Sequence, residues 1–89
     1  ALAVLERLDR LNPGFVHRVS EIRRSAGDAI ELVLLEGSHV ERIVLPIDGA
    51  DIAFLRAEDA IGECVERGRV LSVDARFRDR IVVQLEDTA

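Results

Sequence analysis

Hydrophobic residues recur at helical spacing at the start of the chain. The apolar members of this stretch are Ala1, Val4, Leu5, Leu8 and Leu11. Intervals of three and four residues place them on one side of a helix, so the pattern predicts an amphipathic helix. Asn12-Pro13-Gly14 ends this helix, because the residue before a proline avoids the helical conformation and glycine turns freely.

A second helix is predicted after Pro46. Its apolar face consists of Phe54, Ala57, Ile61, Cys64 and Val65. Asp48 or Asp51 can cap the first turn, and Gly68 is placed to end the helix. Gly62 costs about 1 kcal/mol relative to alanine inside a helix, so either tight packing compensates for it or the helix is weak there.

Three strand-like segments lie between the two helices. Residues 16–24 show an irregular strand pattern, and Ala26-Gly27-Asp28 forms a turn after them. Residues 30–35 are apolar on both faces, which is typical of a central strand. Gly37-Ser38 turns the chain again into a third strand over residues 39–46.

The segment "VLSVDARFRDRIVVQLE" predicts a closing hairpin with one apolar face and one polar face. A two-residue turn at Arg78-Asp79 would place Phe77 opposite Arg80. A three-residue loop over residues 78–80 instead pairs Phe77 with Ile81, Ala75 with Val83 and Val73 with Leu85. A slip of one residue moves every side chain to the other face, so the second register is favoured by the apolar groups that it buries. Its outer face carries Ser72, Asp74, Arg76, Val82, Gln84 and Glu86.

The predicted order of elements is therefore α-β-β-β-α-β-β. Strands come in runs and do not alternate with helices, which favours the α+β class. We expect a largely antiparallel sheet with two helices on one face. A length of 89 residues suits one domain, so residues 1–89 are assigned to a single domain.

Composition excludes several classes of protein. The net charge of −5 argues against a nucleic-acid-binding surface, and one cysteine excludes an internal disulfide. The longest apolar run, residues 1–5, is far shorter than the roughly 20 residues that cross a bilayer. No signal peptide is recognisable. The chain begins directly with an amphipathic segment, so we expect it to be part of a longer protein.

Catalytic, metal and cofactor sites are not expected from the sequence. His17, His39 and Cys64 lie on three different predicted elements, without the close spacing that is typical of zinc ligands. Cys64 has no base beside it and is interpreted as a small buried hydrophobe. The chain contains no glycine-rich phosphate loop and no nucleophile elbow. We therefore expect a protein that is not an enzyme.

The closing hairpin is the best candidate for a binding surface. Asp74 and Arg76 are two residues apart and project together. They form either an exposed ion pair, worth at most about 1 kcal/mol, or part of a docking strand. The strand over residues 81–86 is apolar on both faces because Val82 points outward, and such an edge aggregates unless it is covered. Addition of a partner strand would cover it. The candidate partner-binding residues are Asp74, Arg76, Phe77, Ile81, Val82, Val83, Gln84 and Leu85.

The same hairpin resembles a known family. "SVDARFRDRIVVQLE" is similar to the C-terminal "vDlRfpdrvvvrl" stretch of the FtsQ/DivIB bacterial cell-division family. Upstream, "RVSEIRRSAGDAIELVLLEGSHVERIVLP" is similar to that family's "isEi...l.l.l.dG..v.lp" passage, where a charged strand precedes an apolar one. The resemblance extends over residues 2–86. Ala75 stands where the family usually has leucine or methionine, and "EGSHVER" is longer than the usual turn.

This resemblance implies an extracytoplasmic β domain that follows a POTRA domain in a single-pass protein of the cell membrane, with the domain on the periplasmic side. The family is not enzymatic. It binds the small bitopic division proteins FtsB/DivIC and FtsL and helps to regulate septal peptidoglycan synthesis. Arg76 and Phe77 match its Arg-aromatic pair, and residues 81–85 match its partner-binding strand more loosely. We expect the isolated domain to be monomeric or weakly self-associating.

A second interpretation is a type III secretion chaperone. Such chaperones are small, acidic, cytosolic homodimers, and the same order of elements suits them. The complete gene distinguishes the two interpretations. An upstream transmembrane helix and a POTRA-like segment indicate the division protein, whereas a chain that starts near Ala1 indicates the chaperone.

Arg76→Glu tests the division-protein interpretation. We expect the substitution to weaken binding of an FtsB/DivIC segment by about 1–3 kcal/mol, because it reverses a charge at the contact and leaves the fold intact. The measurement is a binding titration accompanied by circular dichroism. An unchanged affinity, or an unfolded variant, contradicts the role of Arg76 as a contact.

Overall fold

The computed structural model describes residues 2–86 and confirms the predicted order of elements. The helices are α1 (Leu2–Leu11) and α2 (Ala50–Cys64), and short 3-10 helices cover Phe15–Arg18 and Val65–Arg67. The strands are β1 (Val19–Ser25), β2 (Ala29–Leu34), β3 (Val40–Pro46), β4 (Val70–Asp74) and β5 (Val82–Leu85). Ala1, which the sequence assigned to the first helix, lies outside the described residues.

The five strands form one mixed sheet in the order β1-β2-β3-β4-β5. Three of the four pairings are antiparallel, and β3 with β4 is parallel. A parallel pair needs a long crossover connection, and α2 provides it. The prediction of an α+β fold with a largely antiparallel sheet is therefore confirmed, and β1 and β5 are the two edges.

Both helices pack on one face of the sheet and build the core with it. Phe15 and Phe54 meet there edge to face, with ring centroids 4.7 Å apart and an interplanar angle of 63°. Edge-to-face contacts of this kind add about 0.5–1.5 kcal/mol to the free energy of burial. Leu8 of α1 and Leu32 and Leu45 of the sheet are also fully buried.

The strand predicted over residues 16–24 begins later than expected, at Val19. The preceding residues form the 3-10 helix Phe15–Arg18. The Asp9 carboxylate accepts hydrogen bonds from the backbone amides of Gly14 (3.0 Å) and Val16 (3.1 Å), which holds this segment against the end of α1. The short helix also delivers the Phe15 ring into the core.

The start of α2 also differs from the prediction. Its N-cap is Gly49, at a φ of 76°, and no side chain caps the first turn. Asp48 therefore does not cap the helix, and Asp51 lies inside the first turn, where a negative charge is favourable to the helix dipole. Val65 is exposed and Cys64 is only half-buried, because the buried stripe of α2 consists of Ala50, Ala53, Phe54 and Ala57.

The predicted register of the closing hairpin is wrong by two residues. Val73 lies opposite Val83, Asp74 opposite Val82, and Ser72 opposite Gln84, so the connection spans residues 75–81. The cause is the neighbouring strand β3. The Ala75 amide donates a 2.8 Å hydrogen bond to the Val44 carbonyl, which keeps the chain beside β3 after it leaves β4. A shift of two residues preserves the faces. Ala75 is buried as predicted, and Ile81, Val83 and Leu85 pack against the core.

Phe54→Ala tests the importance of the aromatic contact. We expect the free energy of unfolding to fall by about 3–5 kcal/mol, because a fully buried ring leaves a cavity that the sheet cannot fill. Urea denaturation measures the change. Ile52→Ala on the same helix is the control: its side chain is 69% exposed, so a change within about 0.5 kcal/mol is expected. Equal losses in the two variants contradict this account of the core.

Candidate functional site

The candidate site is the open edge of β5, which pairs only with β4 within the described residues. The Glu86 amide points toward β4, where it donates to the Arg69 carbonyl at 2.9 Å. Backbone groups alternate in direction along a strand, so those of Val82 and Gln84 also face β4. The amides and carbonyls of Val83 and Leu85 therefore face outward and can pair with another strand.

Side chains of β5 also alternate between two surfaces. Val83 and Leu85 face the helices and are half-buried. Val82 faces the side of the sheet without helices and is 46% exposed. On that side it lies next to Asp74 of β4, which in turn lies next to Val44 of β3. The edge strand is thus apolar on both faces, as the sequence predicts.

Asp74 and Arg76 form an ion pair with each other. The Arg76 side chain donates from Nε to Oδ1 (2.9 Å) and from Nη2 to Oδ2 (2.7 Å), and the Arg76 backbone amide also donates to Oδ1 (3.1 Å). The two side chains are 34% and 20% exposed for Arg76 and Asp74, respectively. Of the two interpretations that the sequence offered for these residues, the structure therefore shows the ion pair within the chain. Nη1 of Arg76 donates no hydrogen bond within the described residues and remains free for a further acceptor.

The ion pair changes the titration of Asp74. Partial burial by itself would raise the pKa of this carboxyl. The hydrogen bonds from the Arg76 side chain and backbone amide, together with the guanidinium charge, outweigh burial and lower the pKa below its usual range. Asp74 consequently remains charged under acidic conditions in which an ordinary aspartate takes up a proton.

Phe77 anchors the connection between β4 and β5. The guanidinium groups of Arg76 and Arg80 lie 5.5 Å and 4.4 Å from the centroid of its ring, within the range of cation–π attraction. Nη1 of Arg56, on α2, donates a 3.2 Å hydrogen bond to the Phe77 carbonyl. Phe77 is half-buried, and its contacts hold the loop in position beside the start of β5.

Arg56 is the residue of this site that sequence reasoning missed. It lies on the helix that crosses the sheet, 21 positions before Phe77, and nothing in the local pattern distinguishes it from other helix-surface arginines. With Pro46, Ile52 and Arg78 it lines an open groove of about 270 Å³ between the start of α2 and the loop. Only the crossover of α2 over β4 brings it to the hairpin.

The other residues considered in the sequence do not converge. His17 lies in the 3-10 helix Phe15–Arg18, His39 lies in the turn before β3, and Cys64 lies at the end of α2. Among residues 2–86, no group of three or more histidine, cysteine, aspartate or glutamate side chains is arranged to hold a metal ion. Neither helix of this described part has the length and hydrophobicity that spanning a bilayer requires.

Comparisons with known proteins add no assignment. No protein-family model, no curated protein and no solved structure matches the chain. The resemblance of the hairpin to the FtsQ/DivIB family therefore depends on the residues quoted above.

Asp74→Asn tests the ion pair through its dependence on pH. A carboxyl with a lowered pKa in the folded chain stabilises the fold fully above the pKa of the unfolded aspartate, and this stabilisation is lost as the pH falls through the folded pKa. At neutral pH we expect the variant to be less stable by up to about 1 kcal/mol. The difference in the free energy of unfolding between the variant and the wild type should shrink as the pH falls from the pKa of an unfolded aspartate through the lowered pKa of Asp74 in the folded chain. Chemical denaturation at a series of pH values measures it.

Asp79→Asn is the matched control, because Asp79 is exposed in the same loop and forms no ion pair within the described residues. Its effect on stability should be small at every pH. A difference for Asp74→Asn that does not change with pH, or equal effects of the two substitutions, contradicts the role of the ion pair.

Proposed function

We propose that this domain is a non-enzymatic scaffold of the bacterial divisome that binds an extended segment of a partner as a sixth strand along β5. The observation that carries the proposal is the outward direction of the backbone groups of Val83 and Leu85 on an edge without charged side chains. Main-chain hydrogen bonds supply affinity in such complexes, and side-chain pockets supply specificity.

The other sheet edge supports this choice by contrast. β1 carries Glu21, Arg23 and Arg24 along its length, and its pairing with β2 is irregular between Val19 and Glu21. Charges and bulges are devices that protect an edge from pairing with another chain. β5 carries no charged residue, and the irregularity in its pairing with β4 lies on β4, between Val70 and Ser72. The outer side of β5 is therefore less protected than that of β1.

The proposed partners follow from the family resemblance. They are an FtsB/DivIC-like and an FtsL-like division protein, and binding them helps to regulate septal peptidoglycan synthesis. In this proposal the chain is the extracytoplasmic β domain of a protein anchored by a single transmembrane segment. The loop beside the edge, with Arg76 and Phe77, supports the proposal because it presents a free guanidinium donor next to the start of β5.

Val83→Pro is the experiment that tests strand addition. Proline removes the outward amide of Val83 and projects ring atoms toward an incoming strand, but it leaves the inward amides of Val82 and Gln84 in the ladder with β4. We expect at least about tenfold weaker binding to the extracytoplasmic segment of the FtsB/DivIC-like protein from the same genome. Isothermal titration calorimetry measures the affinity.

Val83→Ala is the control for lost side-chain packing, because it shortens the same half-buried side chain and keeps the amide. Its affinity should remain close to that of the wild type once both variants are shown to be folded. If Val83→Pro binds as tightly as Val83→Ala, the partner does not pair with β5 and the proposal fails.

A further inference from the structure

A groove runs beside β5 on the side of the sheet that carries the helices. It has a volume of about 380 Å³. Its walls are one stripe of α2 and the helix-facing side of the hairpin, formed by Arg56, Asp59, Ala60, Glu63, Cys64, Ile81 and Val83. A strand added to β5 would place alternate side chains over this groove.

The groove has an apolar floor and an acidic rim. Ala60, Cys64, Ile81 and Val83 are half-buried and form the floor. Asp59 and Glu63 are exposed and form the acidic part of the rim. Arg56 lies at the end of the groove toward the loop, where its Nη1 donates to the Phe77 carbonyl. The two carboxylates are one helical turn apart, and neither forms an ion pair or a side-chain hydrogen bond within residues 2–86. Two like charges at this spacing repel each other slightly, and a cation between them would relieve the repulsion.

We infer that the strand binding to β5 carries an apolar side chain that packs over Ala60 and Cys64 and, two residues away, a lysine or arginine that lies beside Asp59 and Glu63. Consecutive side chains on one face of a strand are about 6.6 Å apart, close to the rise of about 6 Å between residues i and i+4 of a helix, so two side chains of the added strand can meet α2 one helical turn apart. This inference rests on the proposed function and specifies the chemistry of the partner.

A second copy of the chain fits this edge less well than a cationic segment. Antiparallel pairing of two β5 strands about a two-fold axis at Val83 would place both α2 helices on the same face of the joined sheet. The Asp59 and Glu63 carboxylates of one copy would then face those of the other across the groove. The net charge of −5 on each chain opposes the same contact.

Synthetic peptides test the inference with the isolated domain. Three seven-residue peptides of alternating valine and threonine differ at one position on the valine side, which is lysine, glutamine or glutamate. Nuclear magnetic resonance titration reports two quantities: protection of the Val83 and Leu85 amides, which reports strand addition, and the affinity of each peptide. We expect the lysine peptide to bind about fivefold more tightly than the glutamate peptide at low salt, with the difference decreasing as salt is added.

A double variant, Asp59→Asn with Glu63→Gln, should remove the preference for lysine. Glu66→Gln is the matched control, because Glu66 is exposed just after α2 and does not line the groove; this variant should keep the preference. Equal affinities of the three peptides for the wild type, with Val83 and Leu85 protected, overturn this inference and leave strand addition intact. Absence of protection with every peptide overturns strand addition at β5 together with the inference.

Thiol exchange at Cys64 provides a second measurement, because this is the single cysteine of the chain. Each probe peptide carries one cysteine as a mixed disulfide with 5-thio-2-nitrobenzoate. Attack by the Cys64 thiolate forms the peptide disulfide and releases the coloured thiolate. Release of the coloured thiolate should be fast when the peptide cysteine is on the valine side. It should be slow when the cysteine is moved by one residue, because it then points to the other face of the strand. Equal rates at the two positions contradict the orientation inferred for the bound strand.

Discussion

Parallel pairing of β3 with β4 is the constraint on which the rest of the structure depends. A hairpin cannot join two parallel strands, so the chain between them has to cross the face of the sheet. α2 makes this crossing, buries Phe54 against Phe15, and returns the chain to the far side of β3. The hairpin that follows has only one strand to pair with, and β5 consequently becomes an edge.

The crossover also supplies the surroundings of that edge. It brings Arg56 to the Phe77 carbonyl at one end of β5 and aligns Asp59 and Glu63 beside the strand farther along. The loop end of β5 therefore has arginines around it, and the groove beside β5 has carboxylates on its rim. An incoming strand would meet positive charge at the loop end of β5 and negative charge at the groove, and this difference favours one register of the strand over neighbouring registers.

The Asp74–Arg76 pair has a structural part in this arrangement as well as a proposed binding part. The bidentate contact and the backbone hydrogen bond from Arg76 hold the chain immediately after it leaves β4. Because the pair is only partly exposed, its hydrogen bonds are less screened than those of the more exposed Glu21–Arg23 pair on β1. The two ion pairs thus have different effects. Glu21–Arg23 places charges along the β1 edge, whereas Asp74–Arg76 holds the loop beside the open β5 edge.

The sequence by itself determined the order of the elements and the face on which each side chain of the closing hairpin lies. Periods of two and of 3.6 residues identify strands and helices locally, and the alternation of Val73, Ala75, Ile81 and Val83 already placed them toward the core. The hairpin register was two residues off because such a shift leaves every face unchanged, so hydrophobic pattern cannot detect it. Only the tertiary structure decided it, through the hydrogen bond between Ala75 and the Val44 carbonyl of β3. The parallel pairing, the position of Arg56 and the acidic groove were likewise decided by tertiary structure, because each depends on contacts between segments far apart in the chain.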